Sequence, residues 1–181
     1  DANENPYNDP YNRYPDPQQK LLKAVLAKQK KVSLNQILLG NGSDEVLDLL
    51  FRAFCEPNQD NVITLPPTYG MYGVLADLNA IENKEILLTK DFEPNVDEIL
   101  NAISENTKII FLCSPNNPTG NSFSDESILY LLPALQKNAP NEVIKLSIRS
   151  KNGVMEIVSI FKIKDDVVAG SLQGGLYEKI R

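Results

Sequence analysis

Thr107-Lys108-Ile109-Ile110-Phe111-Leu112-Cys113 runs directly into Ser114-Pro115-Asn116-Asn117-Pro118-Thr119-Gly120. The first seven residues have the near-continuous apolar character of a strand covered on both faces. The next seven set two prolines and a glycine around two asparagines, a rigid loop at the carboxyl end of that strand. Ligands of open α/β sheets collect at such ends. Asn117 offers both a donor and an acceptor with which to grip a polar ring substituent. A well-made turn with no ligand is the plainer reading of the same residues.

Working outward, strands and helices alternate. Asp16-Pro17 makes a helix start, a capping side chain followed by proline, with Leu21, Leu22, Val25 and Leu26 on one stripe. Gln36–Leu39 is a short apolar run that ends at Gly40-Asn41-Gly42. Ser43 is expected to cap a helix with Val46, Leu47, Leu50 and Phe54 inward. Val62–Leu65 reads as a strand stopped by Pro66-Pro67, and Tyr69, Tyr72, Leu75, Ala76 and Leu78 follow at helical spacing. Ile86–Leu88 reads as a strand, and Asn95 with Glu98 as a capping box before Val96, Ile99, Leu100 and Ile103. Beyond the proline-rich loop, Ser124 caps a helix with Ile128, Leu131, Leu132 and Leu135 inward. This alternation predicts an α/β domain with a mainly parallel sheet and flanking helices.

The pattern changes near residue 138. Ile144, Leu146 and Ile148 alternate with polar residues, Asn152-Gly153 is a strong hairpin-turn signal, and Val154–Phe161 follows. The expected organisation is an N-terminal arm at 1–16, an α/β domain at 17–138, and a C-terminal antiparallel, β-rich segment at 139–181.

Composition narrows the chemistry. The 181 residues are 42% hydrophobic with a net charge of −6. That is enough for a packed core, and it argues against a nucleic-acid partner, whose phosphates such a surface repels. No apolar run reaches membrane-spanning length and no signal peptide is visible, so a cytoplasmic protein is expected. Cys55 and Cys113 lie far apart and read as buried, reduced thiols. There is no histidine, which removes Ser–His–Asp and Cys–His chemistry and any His-ligated metal; no metal site is expected. Such a chain borrows a cofactor's chemistry or does none.

Two further loops fall at the same strand ends. In Gly40-Asn41-Gly42-Ser43-Asp44-Glu45 the glycines turn tightly into a helix start that suits an anion, although glycine-rich turns are also ordinary connections. In Pro66-Pro67-Thr68-Tyr69 the tyrosine ring is placed either to cover a flat heterocycle or to pack on the sheet.

With Glu4-Asn5-Pro6-Tyr7, Arg13-Tyr14-Pro15-Asp16-Pro17, Leu39–Glu45, Pro67-Thr68-Tyr69-Gly70-Met71-Tyr72 and Asn117-Pro118-Thr119-Gly120 in this order, the chain resembles the fold-type I pyridoxal-phosphate aminotransferases over residues 3–125, and the histidinol-phosphate aminotransferase family in particular. The resemblance implies part of a PLP-transferase-like large domain, with pyridoxal 5′-phosphate as cofactor. The implied reaction is transamination between histidinol phosphate and 2-oxoglutarate or glutamate, in histidine biosynthesis. It implies that Gly42, Ser43 and Asp44 hold the cofactor phosphate, largely through backbone N–H groups. Tyr69 would stack on the pyridine ring and Asn117 would bond the ring hydroxyl oxygen. Tyr14 would reach the phosphate of a partner subunit in a homodimer, and Tyr7 would lie near the substrate.

Three family features are not matched. An Asp should face the pyridine nitrogen, and Val158 stands where it would fall. A Schiff-base Lys should follow a Ser-rich turn; Ser159-Ile160-Phe161-Lys162 is a poor echo, and Lys162 and Lys164 fit charged, water-facing strand ends better. Arg149 and Arg181 match no substrate-carboxylate motif. A non-catalytic, or truncated or rearranged, fragment of the fold that lacks the Schiff-base lysine therefore stands beside the enzyme as a reading of these residues.

Overall fold

The computed structural model describes residues 14–128, 130–131, 144–151, 154–162 and 168–169, with side chains described up to residue 131. It divides into a unit that ends at Gly40 and a unit that begins at Asn41.

The first unit carries helix α1 (Lys20–Lys30) and a 3-10 turn at Leu34–Gln36. Asp16 does serve the helix start, because its carboxylate accepts from the N–H groups of Gln18 at 2.9 Å and Lys20 at 3.0 Å. The helix itself begins only at Lys20, after a turn at Pro17-Gln18. At Ser33 the side chains of Ser33 and Gln36 form a reciprocal capping box. Gln36 therefore belongs to a helical turn, and Ile37 after it is extended.

In the second unit the elements run α2 (Gly42–Phe54), β1 (Asn61–Thr64), α3 (Met71–Leu78), β2 (Glu82–Glu85), α4 (Val96–Ala102), β3 (Thr107–Cys113), β4 (Ile144–Lys151), β5 (Val154–Lys162) and β6 (Val168–Ala169). The sheet order is β2-β1-β3-β4-β5-β6. The first four strands in that order are parallel, and β4-β5 and β5-β6 are antiparallel. The α/β class and the antiparallel segment after the parallel core are thus both present. The expected boundary near residue 138 lies outside the described residues.

The core follows from side-chain alternation on two central strands. Val62 of β1 and Ile109, Phe111 and Cys113 of β3 face one layer, where Leu47, Leu50 and Phe51 of α2 and Tyr72, Leu75 and Ala76 of α3 meet them. Ile63, Leu65, Ile110 and Leu112 face the other, against Ile99 of α4, Phe123 and Leu131. In the first layer Tyr72 stacks on Phe111 with centroids 4.4 Å apart, and the tilted ring of Phe51 lies 5.5 Å from Phe111.

Four local expectations are corrected. Asn41, not Ser43, occupies the cap position of α2, because Gly42 already enters the helix and the Glu45 carboxylate bonds the Asn41 N–H. Phe51 rather than Phe54 is buried, since it stands one turn beyond Leu47 on the same stripe, while Phe54 is turned outward. Leu78 likewise lies on the outer side of α3. The strand beside β1 is the polar Glu82–Glu85 and not Ile86–Leu88. As an edge strand it needs no apolar face, and Ile86 and Leu88 instead lead its backbone onward, donating to the carbonyls of Thr64 and Pro66.

Where β1 and β3 begin, a polar set built on the buried Asn61 and Thr107 joins them. Thr107 Oγ1 donates to Asn61 Oδ1 at 2.7 Å and accepts the Ser104 N–H at 3.0 Å, while Asn61 Nδ2 donates to Ser104 Oγ at 3.2 Å. Replacing Thr107 by the isosteric Val strands the buried Asn61 Oδ1, which costs about 1–3 kcal/mol, and leaves the N–H of the exposed Ser104 to water. Urea unfolding of Thr107→Val should show a midpoint lowered to match; an unchanged midpoint would show that the set contributes nothing.

Candidate cofactor site

Gly42, Ser43 and Asp44 form the first turn of α2, whose N–H groups an α-helix leaves without intrahelical partners. Gly42 has φ +79°, the left-handed region that glycine adopts without strain, and nothing lies within 4 Å of the place a Cβ would take. The space beside the Gly42 Cα is therefore open, and the thirteen residues of the helix add their dipole at this end. Two acidic side chains share this turn. Glu45 is turned back onto the Asn41 N–H, and Asp44 Oδ1 accepts from Tyr69 Oη at 3.0 Å and lies 3.4 Å from Ser43 Oγ. A phosphate placed here would meet backbone amides and the repulsion of these two carboxylates.

Tyr69 follows Pro66-Pro67-Thr68 at the carboxyl end of β1. Its ring stands edge-on to Tyr72, with centroids 5.6 Å apart at 84°. The two tyrosines divide the readings that the sequence left open. Tyr72 packs on the sheet, fully buried against Phe111, while Tyr69 is only partly buried and is fixed at its tip by Asp44. Its hydroxyl holds its proton more tightly than an ordinary tyrosine, chiefly because of desolvation and then because of the bond to Asp44. Beside Tyr69 a cleft of about 200 Å³ is lined in part by Thr64, Thr68, Asn83 and Glu85.

The third loop turns on a residue that the sequence did not single out. Asn116 is 3% exposed. Its Nδ2 donates to the Pro67 carbonyl at 2.8 Å and to Thr119 Oγ1 at 2.7 Å, and its Oδ1 accepts from Thr68 Oγ1 at 3.0 Å. Its backbone N–H donates to the Asn121 carbonyl and its own carbonyl accepts from Gly120. Asn117, the residue chosen from the sequence, is next in the chain and exposed. Two adjacent asparagines give no sequence signal for which one turns inward; only the partners supplied by Pro67 and Thr68 settle it. Gly120 closes the loop at φ +78°.

Gly42, Ser43, Asp44 and Tyr69 thus come together, and the Asn116 contacts bring the loop of Asn117 alongside them. Tyr14 lies in the first unit and is 78% exposed. Tyr7, Lys164 and Arg181 lie outside the described residues. Lys162 ends β5 opposite Ile144. Val158 falls where the β4–β5 register shifts and pairs with no residue of β4. The strand that runs parallel beside β3, Ile144–Lys151, contains no acidic residue.

The family model described as aminotransferase class I and II matches residues 2–140. The chain belongs to the class I and II aminotransferase family. This family depends on pyridoxal phosphate, and the open first turn of α2 fits the phosphate of that cofactor. Among relatives, the histidinol-phosphate aminotransferase of Flavobacterium psychrophilum is 75% identical over 132 residues, 73% of this chain and 38% of that protein. That of Cytophaga hutchinsonii is 51% identical over 138 residues, 74% of this chain and 40% of that protein. The matched part of this aminotransferase-family chain thus spans about two fifths of those relatives. Among solved structures, aspartate aminotransferase from Thermotoga maritima superposes with a TM-score of 0.64 at 24% identity, covering 75% of this chain and 37% of that one. N-Succinyldiaminopimelate aminotransferase from Mycobacterium tuberculosis also gives 0.64, at 18% identity, with 76% and 46% covered. At such identities these two speak for the fold alone.

Among the described residues no group of three or more Cys, Asp or Glu is placed to hold a metal, and no helix is long and apolar enough to cross a membrane. Cys55, in the layer beneath α2, is a free thiol pushed up to about 12 from its ordinary 9.0, by burial first and by the charge of Asp60 second. The folded chain therefore keeps this proton at pH values where the unfolded chain has lost it. The stability it contributes is complete below pH 9 and is lost as pH rises from there towards 12. Tyr69 and Tyr72, both raised, act in the same direction from about pH 10. The urea midpoint should hold steady from pH 7 to 9 and fall above, with Cys55→Ala delaying the fall; a flat profile to pH 11 would contradict this.

Proposed function

We propose that residues 41–121 hold pyridoxal 5′-phosphate in an aminotransferase that moves an amino group between histidinol phosphate and 2-oxoglutarate or glutamate, in histidine biosynthesis. The observation that carries this is the convergence of three loops, α2 with its open glycine turn, Pro66–Tyr69 and Ser114–Gly120, tied to one another by Tyr69–Asp44 and Asn116–Pro67–Thr68. The 75% identity to a histidinol-phosphate aminotransferase supports the substrate.

The residues divide the work. Backbone N–H groups of Gly42, Ser43 and Asp44 hold the phosphate. Tyr69 covers one face of the ring, its swing restricted by the bond to Asp44, and Asn117 donates to the ring hydroxyl oxygen. Bound there, the cofactor supplies an aldehyde carbon that takes up amino groups and a ring that accepts electrons. Tyr7 reaches the substrate, and Tyr14 reaches the phosphate held by a second copy, so the working form is a homodimer. Two free, buried cysteines suit a reducing cytoplasm.

A second reading has its own observation. The strands on either side of β3, Asn61–Thr64 and Ile144–Lys151, contain no acidic residue, and Val158 of β5 offers no carboxylate to the pyridine nitrogen. On that reading these 181 residues hold the cofactor without turning it over. Incubation with pyridoxal phosphate, borohydride reduction and intact-mass measurement separates the two. One stoichiometric adduct on a single lysine, Lys162 included, supports turnover by this chain. Native mass after reduction, despite saturable binding, supports the holding role alone.

A further inference from the structure

We propose that Asn116 is a positioning residue for the cofactor, acting through Asn117 and Tyr69; this rests on the cofactor reading above. Three features of its surroundings carry the inference. Both donors of its amide are used, on Pro67 O and Thr119 Oγ1, and its acceptor is used by Thr68 Oγ1, all at 2.7–3.0 Å. It is 3% exposed, where the bonds are shielded from water and an unpaired amide would be costly. Its partners lie on both ring-binding loops, one residue from Asn117 in its own chain direction and one partner, Thr68, directly before Tyr69.

A continuous hydrogen-bonded line results. From Asp44 it passes to Tyr69 by the hydroxyl, along the backbone to Thr68, through the Asn116 amide to Thr119 Oγ1, and from there to Asn121 Oδ1 at 2.5 Å. Asn121 Nδ2 then donates to the Phe92 carbonyl at 3.0 Å. The line fixes the separation between the loop that grips the ring edge and the loop that covers the ring face. A flat ring needs both set at once, and a small misplacement of either weakens the grip on it. Asn116 touches neither the ring nor the phosphate in this account. It sets where Asn117 and Tyr69 stand.

The test measures pyridoxal phosphate affinity by equilibrium dialysis of the full 181-residue chain, well below its unfolding temperature. Four variants are compared: Asn116→Ala, Asn117→Ala, the double variant, and Ile99→Ala in the opposite core layer. Asn116→Ala should weaken binding about tenfold in the parent chain, the size of one well-placed hydrogen bond. It should weaken it by a clearly smaller factor when Asn117 is already Ala, the remainder being the part carried through Tyr69. Ile99→Ala should lower the melting temperature and leave affinity within twofold. Thr119→Val cuts the same line at nearly equal volume and should act in the same direction should the alanine variant not fold. An unchanged affinity in Asn116→Ala, an equal loss in both backgrounds, or an equal loss from Ile99→Ala would each overturn the positioning role while the cofactor reading stands. No saturable binding by the parent chain would overturn the cofactor reading and the positioning role with it.

Discussion

Phe111→Ala is expected to cost about 3–5 kcal/mol of stability, the range for emptying a fully buried aromatic site. Phe111 lies within β3, is 1% exposed, and packs against both Tyr72 and Phe51. Removing it takes a stacked partner from Tyr72 and a contact from α2 at once. Collapse of the surroundings is restricted because β3 is flanked on both sides by parallel neighbours, β1 and β4. For a chain of this size the loss corresponds to a melting temperature lower by roughly 10 °C. Phe54→Ala, on the outer side of α2, serves as the control and should change stability by less than about 1 kcal/mol. Equal effects of the two would mean that the aromatic stack is not where the second unit draws its stability.

Asn117→Ala should behave in the opposite way. The residue is exposed and outside both core layers, so the melting temperature should hold. Its proposed partner is the ring hydroxyl oxygen, which carries negative charge in the bound cofactor. A hydrogen bond to a charged group contributes about 1.5–3 kcal/mol, which predicts pyridoxal phosphate binding weaker by roughly ten- to a hundredfold. Affinity unchanged in Asn117→Ala would remove that residue from the site. A large fall in melting temperature instead would make it a structural residue of the loop.

The fold was legible where burial is set by period. The uninterrupted apolar run Thr107–Cys113 is the central strand β3, and the alternation of Val62 with Ile63 and of Phe111 with Leu112 maps onto the two core layers. The hairpin signal at Asn152-Gly153 agrees with a register in which Lys151 faces Val154. What was not legible depends on partners distant in sequence. The polar segment Glu82–Glu85 is a strand only because β1 offers an edge, and no local period announces it. Phe51 and Phe54 are both plausible inward residues of α2 until the position of Phe111 chooses one of them.

The candidate site divides along the same line. Gly42 and the 117–120 loop are visible as chain chemistry, a glycine before a helix and prolines after a buried strand. Asp44 was expected near the phosphate, but its bond to Tyr69, 25 residues away, is a tertiary fact. Asn116 is the sharpest case. Its neighbour has the same side chain, and the difference between them is made wholly by Pro67 and Thr68, whose reach across the sheet end no spacing rule describes.

The claim that three loops converge on one phosphate-bearing ring is tested most directly by comparing two ligands. Titration of the 181-residue chain with pyridoxal 5′-phosphate, and separately with pyridoxal, reads the phosphate and ring contributions apart. The account predicts one saturable site per chain for pyridoxal phosphate, with pyridoxal at least tenfold weaker because the first turn of α2 has nothing to hold. Equal affinities, or no saturable site for either ligand, would contradict it.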